Sequence, residues 1–551
     1  MLSPTLSSSP ISFFFPGRGV KCFCNEFSVF PRRNGAELPI PRRGNLCVRT
    51  ISSSVGSGMG SGGSDEPKSK PRICILGGGF GGLYTALRLE SLVWPDDKKP
   101  QVLLVDQSAR FVFKPMLYEL LSGEVDEWEI APRFLDLLAN TSVQFFQDRV
   151  KLLYPLDHSM GKIPTMSCGG RVQLESGRLV EYDWLVLSLG AEPKLDLVPG
   201  AAELSLPFST LEDALKVDSR LKALERGKFG KDSLIRVVVV GCGYAGVELA
   251  AIVAERLQDK GIVQAINAET IICPSAPPGN REAALKVRSM LVMHCVKLDS
   301  YWKCLSEWIA LRVLSSRNVQ LFLGYFVSCI RKAEKSEDLE KPTISEQVKV
   351  IEPEQGELIL ELRPAERGLE SQILEADLVL WTVGSKPLVP PLVSCDRPLM
   401  FPITGRGQAE TDETLRVKGH PRIFAIGDSA ALRDSSGKLL PATAQVAFQQ
   451  ADFAGWNLWA AINDRPLLPF RFQNLGEMMT LGRSDAAISP SFIDGLTLEG
   501  PIGHTARKIA YLIRLPTDEH RVKVGISWLT KSAIDTIASF QSTLSNAISG
   551  S

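Results

Sequence analysis

The segment ICILGGGFGG, residues 73–82, places a glycine-rich turn directly after a short apolar run, and an apolar-periodic stretch follows it. This order predicts a strand, a tight turn and a helix. Gly77 would make the turn, Gly79 would let the backbone approach a phosphate, and Gly82 would let helix pack on strand. The positive end of the helix would then face a dinucleotide pyrophosphate. The alternative is a tight strand–helix connection that binds no ligand.

The same arrangement occurs again in VVVVGCGYAG, residues 237–246, with its glycines at Gly241, Gly243 and Gly246. Two copies indicate two dinucleotides in one protein, with electrons passing between them. The duplication also includes YDWLVLSLG, which ends at Gly190, and ADLVLWTVG, which ends at Gly384. We therefore predict an α/β fold of two tandem Rossmann-like, dinucleotide-binding domains with parallel sheets.

The ends of the second strands distinguish the two copies. Asp106 follows the run VLLV and can accept hydrogen bonds from ribose hydroxyls, unless it is only a solvated loop acid. Asn267 stands at the corresponding point after Ile266. Since an amide does not repel a 2′-phosphate, the second site is expected to accept NADPH as readily as NADH.

Two neighbouring motifs point to a flavin. RIFAIGD, residues 422–428, predicts a strand that ends at Gly427 and places Asp428 near a ribityl chain. PATAQVAFQQ, residues 441–450, predicts a helix that starts near Ala444. Its free N–H groups would face the flavin. Gln445 and Gln449 share one face of that helix, and there they either bind a carbonyl-bearing ligand or form an ordinary polar surface.

Composition excludes several classes of protein. The 551 residues carry 62 basic and 62 acidic side chains, so nothing favours nucleic acid as a partner. No apolar run is long enough to predict a transmembrane helix. The chain has five histidines and no CxxC pair, and we therefore predict no metal site.

Two segments differ in composition from the rest. Residues 1–70 are rich in Ser, Pro, Gly and Arg and predict a transit peptide and linker, with a plastid address favoured over a mitochondrial one. A disordered tail on a cytosolic protein is the alternative. Residues 288–312 are rich in Trp, Met and Cys and interrupt a predicted helix. They are either a splice-derived insertion or a genuine extra helix.

The C-terminal region, residues 486–551, is predicted to form two amphipathic helices. Their apolar stripes are Ile502, Ala506, Ile509 and Ile513, and, beyond Gly525, Ile526, Leu529, Ala533, Ile537 and Phe540. Such helices can lie on a membrane surface. Core packing or a homodimer interface is the alternative.

Six motifs together (GGGFGG, YDWLVLSLG, GCGYAGVE, ADLVLWTVGSKP, RIFAIGD and TAQVAFQQ) resemble those of the type II, or alternative, NAD(P)H:quinone oxidoreductases. The likeness is strongest to the plant C-type enzymes, which are similar to cyanobacterial members. It implies an FAD domain in two parts, residues 71–215 and 400–485, and an inserted NAD(P)H domain, residues 234–390. It also implies two-electron transfer from NADH or NADPH through FAD to plastoquinone or a prenylated naphthoquinone, without proton pumping.

The resemblance assigns residues to three sites. Those implied for FAD are Gly77, Gly79, Gly82, Asp106, Lys114, Gly190, Gly427, Asp428, Ala444 and Gln445. Those implied for NAD(P)H are Gly241, Gly243, Gly246, Glu248, Asn267 and Gly384. Gln445 and Gln449 match the quinone-site motif. Glu248, expected in the first turn of its helix, either relays a proton near the quinone or is simply stabilised by the helix dipole.

Several other functions are alternatives to quinone reduction by NAD(P)H. A flavin disulfide reductase needs a cysteine pair after the first fingerprint, and residues 82–92 contain none. A sulfide:quinone oxidoreductase would need Cys168 and Cys395 beside the flavin. A reductase with a soluble acceptor, or a flavin-binding scaffold inactivated by residues 288–312, are further alternatives. The expected location is the chloroplast, on the thylakoid or on plastid lipid bodies, with the mitochondrion as a second address.

Overall fold

The computed structural model describes residues 70–156, 169–230, 233–276, 280–281, 319–333, 357–365, 370–393, 401–493 and 495–549, with side chains of the last helix described to residue 534. The predicted targeting segment, apart from Lys70, lies outside these residues. So do the segment 288–312, Cys168 and Cys395.

The strands are mostly short, as expected for a doubly wound protein. They are β1 Arg72–Leu76, β2 Gln101–Asp106, β3 Gln144–Gln147, β4 Val150–Pro155, β5 Gly170–Leu174, β6 Leu179–Tyr182, β7 Trp184–Leu187, β8 Ala191–Pro193, β9 Leu206–Pro207, β10 Ile235–Val240, β11 Gly261–Asn267, β12 Val319–Leu323, β13 Tyr325–Lys332, β14 Leu358–Pro364, β15 Gln372–Ala376, β16 Leu378–Trp381, β17 Ser385–Pro387, β18 Ala409–Glu410, β19 Arg416–Val417, β20 His420–Ala425, β21 Ala430–Ala431, β22 Glu477–Thr480, β23 Ala486–Ser489 and β24 Leu498–Glu499.

A helix follows each fingerprint strand, whereas long stretches of the described chain, such as β3 to β8, contain strands alone. The helices are α1 Phe80–Ser91, α2 Glu119–Ser122, α3 Glu127–Ile130, α4 Phe134–Leu137, α5 Ala201–Leu204, α6 Leu211–Gly227, α7 Tyr244–Leu257, α8 Ala444–Ile462, α9 Gly500–Arg514 and α10 Asp518–Ser549. Within the described residues, no helix is long and apolar enough to cross a bilayer.

Two parallel sheets form the framework. The first has the order β19-β20-β7-β1-β2-β3 and the second β12-β11-β10-β16-β9. Each fingerprint strand, β1 or β10, lies in the middle of its sheet, between the strand that carries the ribose position and the strand that ends in the closing glycine. Both faces of β10 are buried, which explains why its sequence is an unbroken run of β-branched valines.

Antiparallel elements join the units. A three-stranded sheet follows each fingerprint sheet, β4-β5-β6 in the first unit and β13-β14-β15 in the second. The ribbon β8–β17 pairs Ala191 with Pro387 and so brings together the chain segments that leave Gly190 and Gly384. The turns that end the two parallel sheets therefore lie side by side.

The pairing departs from the expected domain boundaries at two points. β9 hydrogen-bonds to β16, so the second sheet takes residues well before position 234. The boundary between residues 485 and 486 separates β22 from β23, which are hydrogen-bonded neighbours. The first case is a crossover of a short strand to another sheet, whereas in the second the expected boundary falls within a hairpin of consecutive strands.

Candidate functional site

The first fingerprint is fixed by glycine geometry and by two polar side chains. Gly77 has φ +95°, and a Cβ on Gly82 would lie 1.8 Å from the Gly77 carbonyl oxygen. The Ser188 hydroxyl donates to the carbonyls of Leu76 at 2.8 Å and Gly77 at 2.9 Å. Asp106 accepts from the Gly78 N–H at 2.5 Å and from the Ser108 N–H at 2.7 Å. This carboxylate is therefore held at the turn and is not a freely solvated loop acid.

The second fingerprint repeats this geometry. Gly241 has φ +101°, and a Cβ on Gly246 would again lie 1.8 Å from the carbonyl oxygen of the first glycine. The Thr382 hydroxyl takes the place of Ser188 and donates to the Val240 carbonyl at 2.9 Å and the Gly241 carbonyl at 3.2 Å.

Asn267 occupies the position of Asp106. It ends β11, as the sequence predicted, and its Oδ1 accepts from the Cys242 N–H at 3.2 Å. Its Nδ2 donates to the carbonyls of Glu269 and Ile271. The amide is thus required by its neighbours, since a carboxylate would have no donor to offer these two carbonyls.

Both fingerprint helices present an open N-terminus. Gly79 and Gly243 are the N-cap residues of α1 and α7, and neither helix has a side-chain cap. A Cβ at either glycine would meet no protein atom within 4 Å. Free N–H groups beside open space at the end of a helix of 12 or 14 residues suit an anionic phosphate group. The residues present therefore fit a dinucleotide in each unit.

A third turn completes the first unit. Gly427 has φ +63°, and its N–H donates to the buried Gln450 Oε1 at 2.7 Å. Burial raises the pKa of Asp428, and the positive charge of Lys114 opposes that shift. Lys114 acts in the same way on Asp106. The three predicted residues Lys114, Asp106 and Asp428 are therefore close enough to interact electrostatically, as residues around one ligand would be.

The closing glycines face each other across the two units. Gly190 and Gly384 both have φ +75°, and the Gly190 N–H donates to the Ser429 hydroxyl at 3.2 Å. The Gly384 carbonyl accepts a hydrogen bond from the Lys194 N–H, in the segment that follows Gly190. Both predicted turns thus lie at the junction of the units.

The two glutamines of α8 are engaged by the protein itself. The helix begins at Ala444, and Thr443 caps it. The Gln445 amide donates to the Gly476 carbonyl at 3.1 Å and accepts from the Leu475 N–H. Gln449 donates to the Gln473 carbonyl at 2.8 Å and accepts from the N–H of the same residue. Both side chains bind the backbone of residues 473–476 to the helix.

Glu248 lies in the second turn of α7, not in the first turn as expected, because the helix begins at Tyr244. Its side chain is buried, and its Oε1 accepts from the Thr480 N–H at 2.9 Å. Burial raises the pKa of this carboxyl to about 7, although the Thr480 N–H and Arg507 oppose the shift. The Tyr118 hydroxyl lies within hydrogen-bonding reach. A helix-dipole carboxylate at a first turn is therefore the wrong description of Glu248.

The sequence reasoning missed the residues around Glu248. Arg507 and Glu119 are buried and form an ion pair at 2.6 Å, and Tyr118 and Tyr511 are buried beside them. Lys508 lies 3.2 Å from Glu124 at the edge of this group. Glu119 precedes two leucines, which could have indicated a buried acid. The sequence does not indicate which cation pairs with it.

The comparisons with known proteins agree with this geometry. A family model for pyridine nucleotide-disulphide oxidoreductases matches residues 71–451, and the chain belongs to that family. Within it, the chain is a member of the type II, or alternative, NAD(P)H:quinone oxidoreductases, as the six motifs predicted.

The evidence for this branch is similarity over most of the chain. The alternative NAD(P)H-ubiquinone oxidoreductase C1, chloroplastic/mitochondrial, of Arabidopsis thaliana is 64% identical over 88% of this chain and 85% of its own length. The demethylphylloquinone reductase of Synechocystis is 38% identical over 84% of this chain and 96% of its own. The structure of NDH2 from Plasmodium falciparum in complex with NADH has a TM-score of 0.62 at 17% identity, covering 84% of this chain and 98% of that one, and supports the fold.

Proposed function

We propose that this protein transfers two electrons from NADH or NADPH to a lipid-soluble quinone through bound FAD. The observation that carries the proposal is the pair of equivalent glycine turns, each with an uncapped helix, brought side by side by the ribbon β8–β17. When bound, the flavin accepts a hydride from the nicotinamide and passes the electrons on to the quinone. The protein contributes position and electrostatics.

The first unit is the proposed FAD site. Gly77, Gly79 and Gly82 would admit the pyrophosphate, and Asp106 would bind the ribose of the ADP half. Asp428 would bind the ribityl chain, with Lys114 supplying a nearby positive charge. Ala444 at the start of α8 would present backbone N–H groups to the flavin ring. The remaining residues proposed for this site are Gly190, Gly427 and Gln445.

The second unit is the proposed NAD(P)H site, at Gly241, Gly243, Gly246, Asn267 and Gly384. Asn267 carries no charge that would repel a 2′-phosphate, which supports the use of NADPH as well as NADH. Residues 288–312 fall within this domain in sequence, and so the alternative of an inactive scaffold is tested directly below.

The quinone is proposed to reach the flavin near Gln445, Gln449 and Glu248. Reduction of a quinone to a quinol takes up two protons. A buried carboxyl with a pKa of about 7 is protonated in a large fraction of molecules at neutral pH and can supply one. The two glutamines would orient the segment 473–476 rather than offer free amides, since their hydrogen bonds are already made.

Stopped-flow spectroscopy tests the proposed activity. The purified protein should carry FAD, which NADH or NADPH bleaches and a water-soluble naphthoquinone reoxidises. Bleaching by sulfide and not by nicotinamide would favour a sulfide:quinone oxidoreductase. Reoxidation only by a soluble protein acceptor would favour the soluble-acceptor reductase. The same measurement on a chain lacking residues 288–312 tests the scaffold alternative, because only an inactivating insertion predicts that its removal restores bleaching.

A membrane surface is the proposed partner of α9 and α10. One face of α9 exposes Ile502, Ile509 and Ile513, and α10 exposes Val522, Ile526, Leu529 and Ile534. Half or more of each of these side chains is open to solvent. Exposed apolar helix faces of this kind enter the interface of a bilayer. Ile537 and Phe540 belong to the predicted stripe but their side chains lie outside the described residues.

Sedimentation with vesicles of plastid galactolipids checks this attachment. Replacement of Ile502, Ile509 and Ile513 by Asn should abolish co-sedimentation. A matched triple variant of exposed apolar residues elsewhere, Val93→Asn, Leu135→Asn and Phe229→Asn, should leave it unchanged. If the first variant still sediments with vesicles, or instead converts a lipid-free homodimer into a monomer, α9 is not the membrane anchor.

The proposed organellar address is the plastid, with the mitochondrion as a second one. It is checked by import of the full chain and of a chain lacking residues 1–70.

A further inference from the structure

A buried ion pair lies where α9 contacts α2. Arg507 is completely buried and Glu119 is 1% exposed, with 2.6 Å between Nη2 and Oε1. Among the residues that the structure describes, the Arg507 guanidinium and the Glu119 carboxylate are in ion-pair contact, but neither has a hydrogen-bond partner of good geometry. Burial of such a pair costs several kcal/mol of desolvation per ion, and apolar residues in its place are often neutral or stabilising. Stability alone therefore gives no reason for an arginine here.

The two faces of α9 have opposite character. Gly503, Arg507 and Tyr511 recur every four residues and form the buried face. Ile502, Ile509 and Ile513 form the exposed face, the one proposed above to meet the membrane. A single helix thus connects the proposed membrane surface to a buried positive charge, one layer of side chains away.

The buried face of α9 reaches Glu248. The groups that act on this carboxyl come from several elements, among them β22, whose Thr480 N–H donates to it. Tyr118 and Glu119 come from the start of α2, Arg507 and Tyr511 from α9, and Cys273 from the loop after β11. Lys508 pairs with Glu124 at 3.2 Å and also lies 3.8 Å from Glu119. Arg507 is the fully buried cation of this group.

We propose that Arg507 is a positioning residue for proton transfer at Glu248: paired with Glu119, it sets the charge beside the carboxyl that serves the quinone. The inference rests on the proposed function, because it assigns the electrostatic control of the same site. It adds that the C-terminal helix is part of the proton-donating machinery as well as an anchor. The proton-donating site is complete when α9 packs against the rest of the protein.

The two charges act on Glu248 in opposite directions. The positive charge of Arg507 favours the ionised carboxylate and lowers its pKa, whereas the negative charge of Glu119 raises it. Loss of Arg507 should therefore raise the pKa of Glu248, and loss of the Glu119 charge should lower it. Loss of both should leave it close to that of the unchanged protein. A merely structural role predicts no such pair of opposite shifts.

The experiment uses the full-length protein with FAD bound and compares Arg507→Met, Glu119→Gln and the double variant. Quinone reduction is measured from pH 5.5 to 9, and it should decline above about pH 7 as Glu248 loses its proton. That decline should move up by about one pH unit in Arg507→Met and down by a similar amount in Glu119→Gln. The double variant should lie between them. Flavin reduction by NAD(P)H should change by less than about twofold, since it needs no proton from Glu248.

A second readout does not depend on catalysis. The pKa of Glu248 follows from the pH dependence of the unfolding free energy, compared between each variant and the same variant carrying Glu248→Gln. Arg507→Lys, which keeps the charge, serves where Arg507→Met does not fold and should show little shift. Equal loss of activity at every pH, or shifts of the same sign for Arg507→Met and Glu119→Gln by both readouts, would overturn the inference. Absence of quinone reduction in the unchanged protein would instead overturn the proposed function, while the unfolding readout still decides the electrostatic coupling.

Discussion

The two nucleotide-binding units share one backbone geometry but differ in a single side chain at the ribose position. In each unit, the N–H of the first glycine donates at 2.8 Å to a backbone carbonyl at the end of β2 or β11. The hydroxyl of Ser188 or Thr382, directly after β7 or β16, donates to the carbonyl that ends the fingerprint strand. The units diverge at Asp106 and Asn267, which accept from equivalent N–H groups. From this comparison we expect the glycines to admit a dinucleotide in both units and the strand-end residue to select among dinucleotides.

The surroundings of the two helices also differ. Helix α1 is packed tightly under α8, and a Cβ on Gly455 would meet Arg88 at 2.6 Å. Helix α7 instead places Glu248 against β22 and within the electrostatic reach of α9. Both helices also meet the C-terminal region. Helix α1 does so through the Tyr84 hydroxyl, which donates to the Arg514 carbonyl at the end of α9, and α7 through Glu248.

The largest predicted effect separates the two sites. Gly82→Ala should yield protein without bound FAD, because the added Cβ would lie 1.8 Å from a backbone oxygen and force α1 away from β1. Gly246→Ala should keep its FAD but slow flavin reduction by NAD(P)H on the order of 100-fold. Flavin absorbance and stopped-flow traces measure the two losses. Gly227→Ala, at a glycine with no atom within 4 Å of an added Cβ, is the control. Equal flavin loss in both variants would show that the sites are not assigned as proposed.

An intermediate effect, on the preference for NADPH over NADH, is expected from the residues that end β2 and β11. Asn267→Asp brings a negative charge to the proposed 2′-phosphate position and removes the two N–H donors to Glu269 and Ile271. We expect kcat/KM for NADPH to fall about tenfold more than that for NADH, which corresponds to about 1.4 kcal/mol. Asp106→Asn is the matched control and should leave the NADPH/NADH ratio unchanged. An identical loss for both nucleotides would place Asn267 away from the ribose.

The smallest effect tests whether the turns are equivalent. Ser188→Ala and Thr382→Val each remove two hydrogen bonds to strand-end carbonyls. Each should lower the free energy of unfolding by about 1–2 kcal/mol, with similar values in the two units. Urea denaturation of the FAD-bound protein measures this, and Thr382→Ser should be nearly neutral. A decrease in the free energy of unfolding for only one of the two variants would mean that the two turns, although alike in geometry, contribute differently to stability.

Most of the framework could be predicted because its rules are local. A buried strand, a glycine at a fixed spacing and a following helix are written in consecutive residues, and both fingerprints, Asn267 at the end of β11 and the start of α8 near Ala444 lie where the sequence placed them. The domain boundaries were less predictable. β9 is two residues long, and only its pairing with β16 shows which sheet it joins.

The sequence by itself predicted two glycine-rich turns, the different residues at their strand ends, and the apolar face of α9. Only the tertiary structure decided what the other face of α9 meets. Tyr118 and Glu119 are adjacent, but Glu248 and Arg507 are far from them and from each other in the chain, and each alone is an ordinary residue. Helical periodicity shows which side of a helix is apolar, but it does not name the partner of a buried charge. That partner is fixed by long-range packing, and with it the electrostatic surroundings that raise the pKa of Glu248.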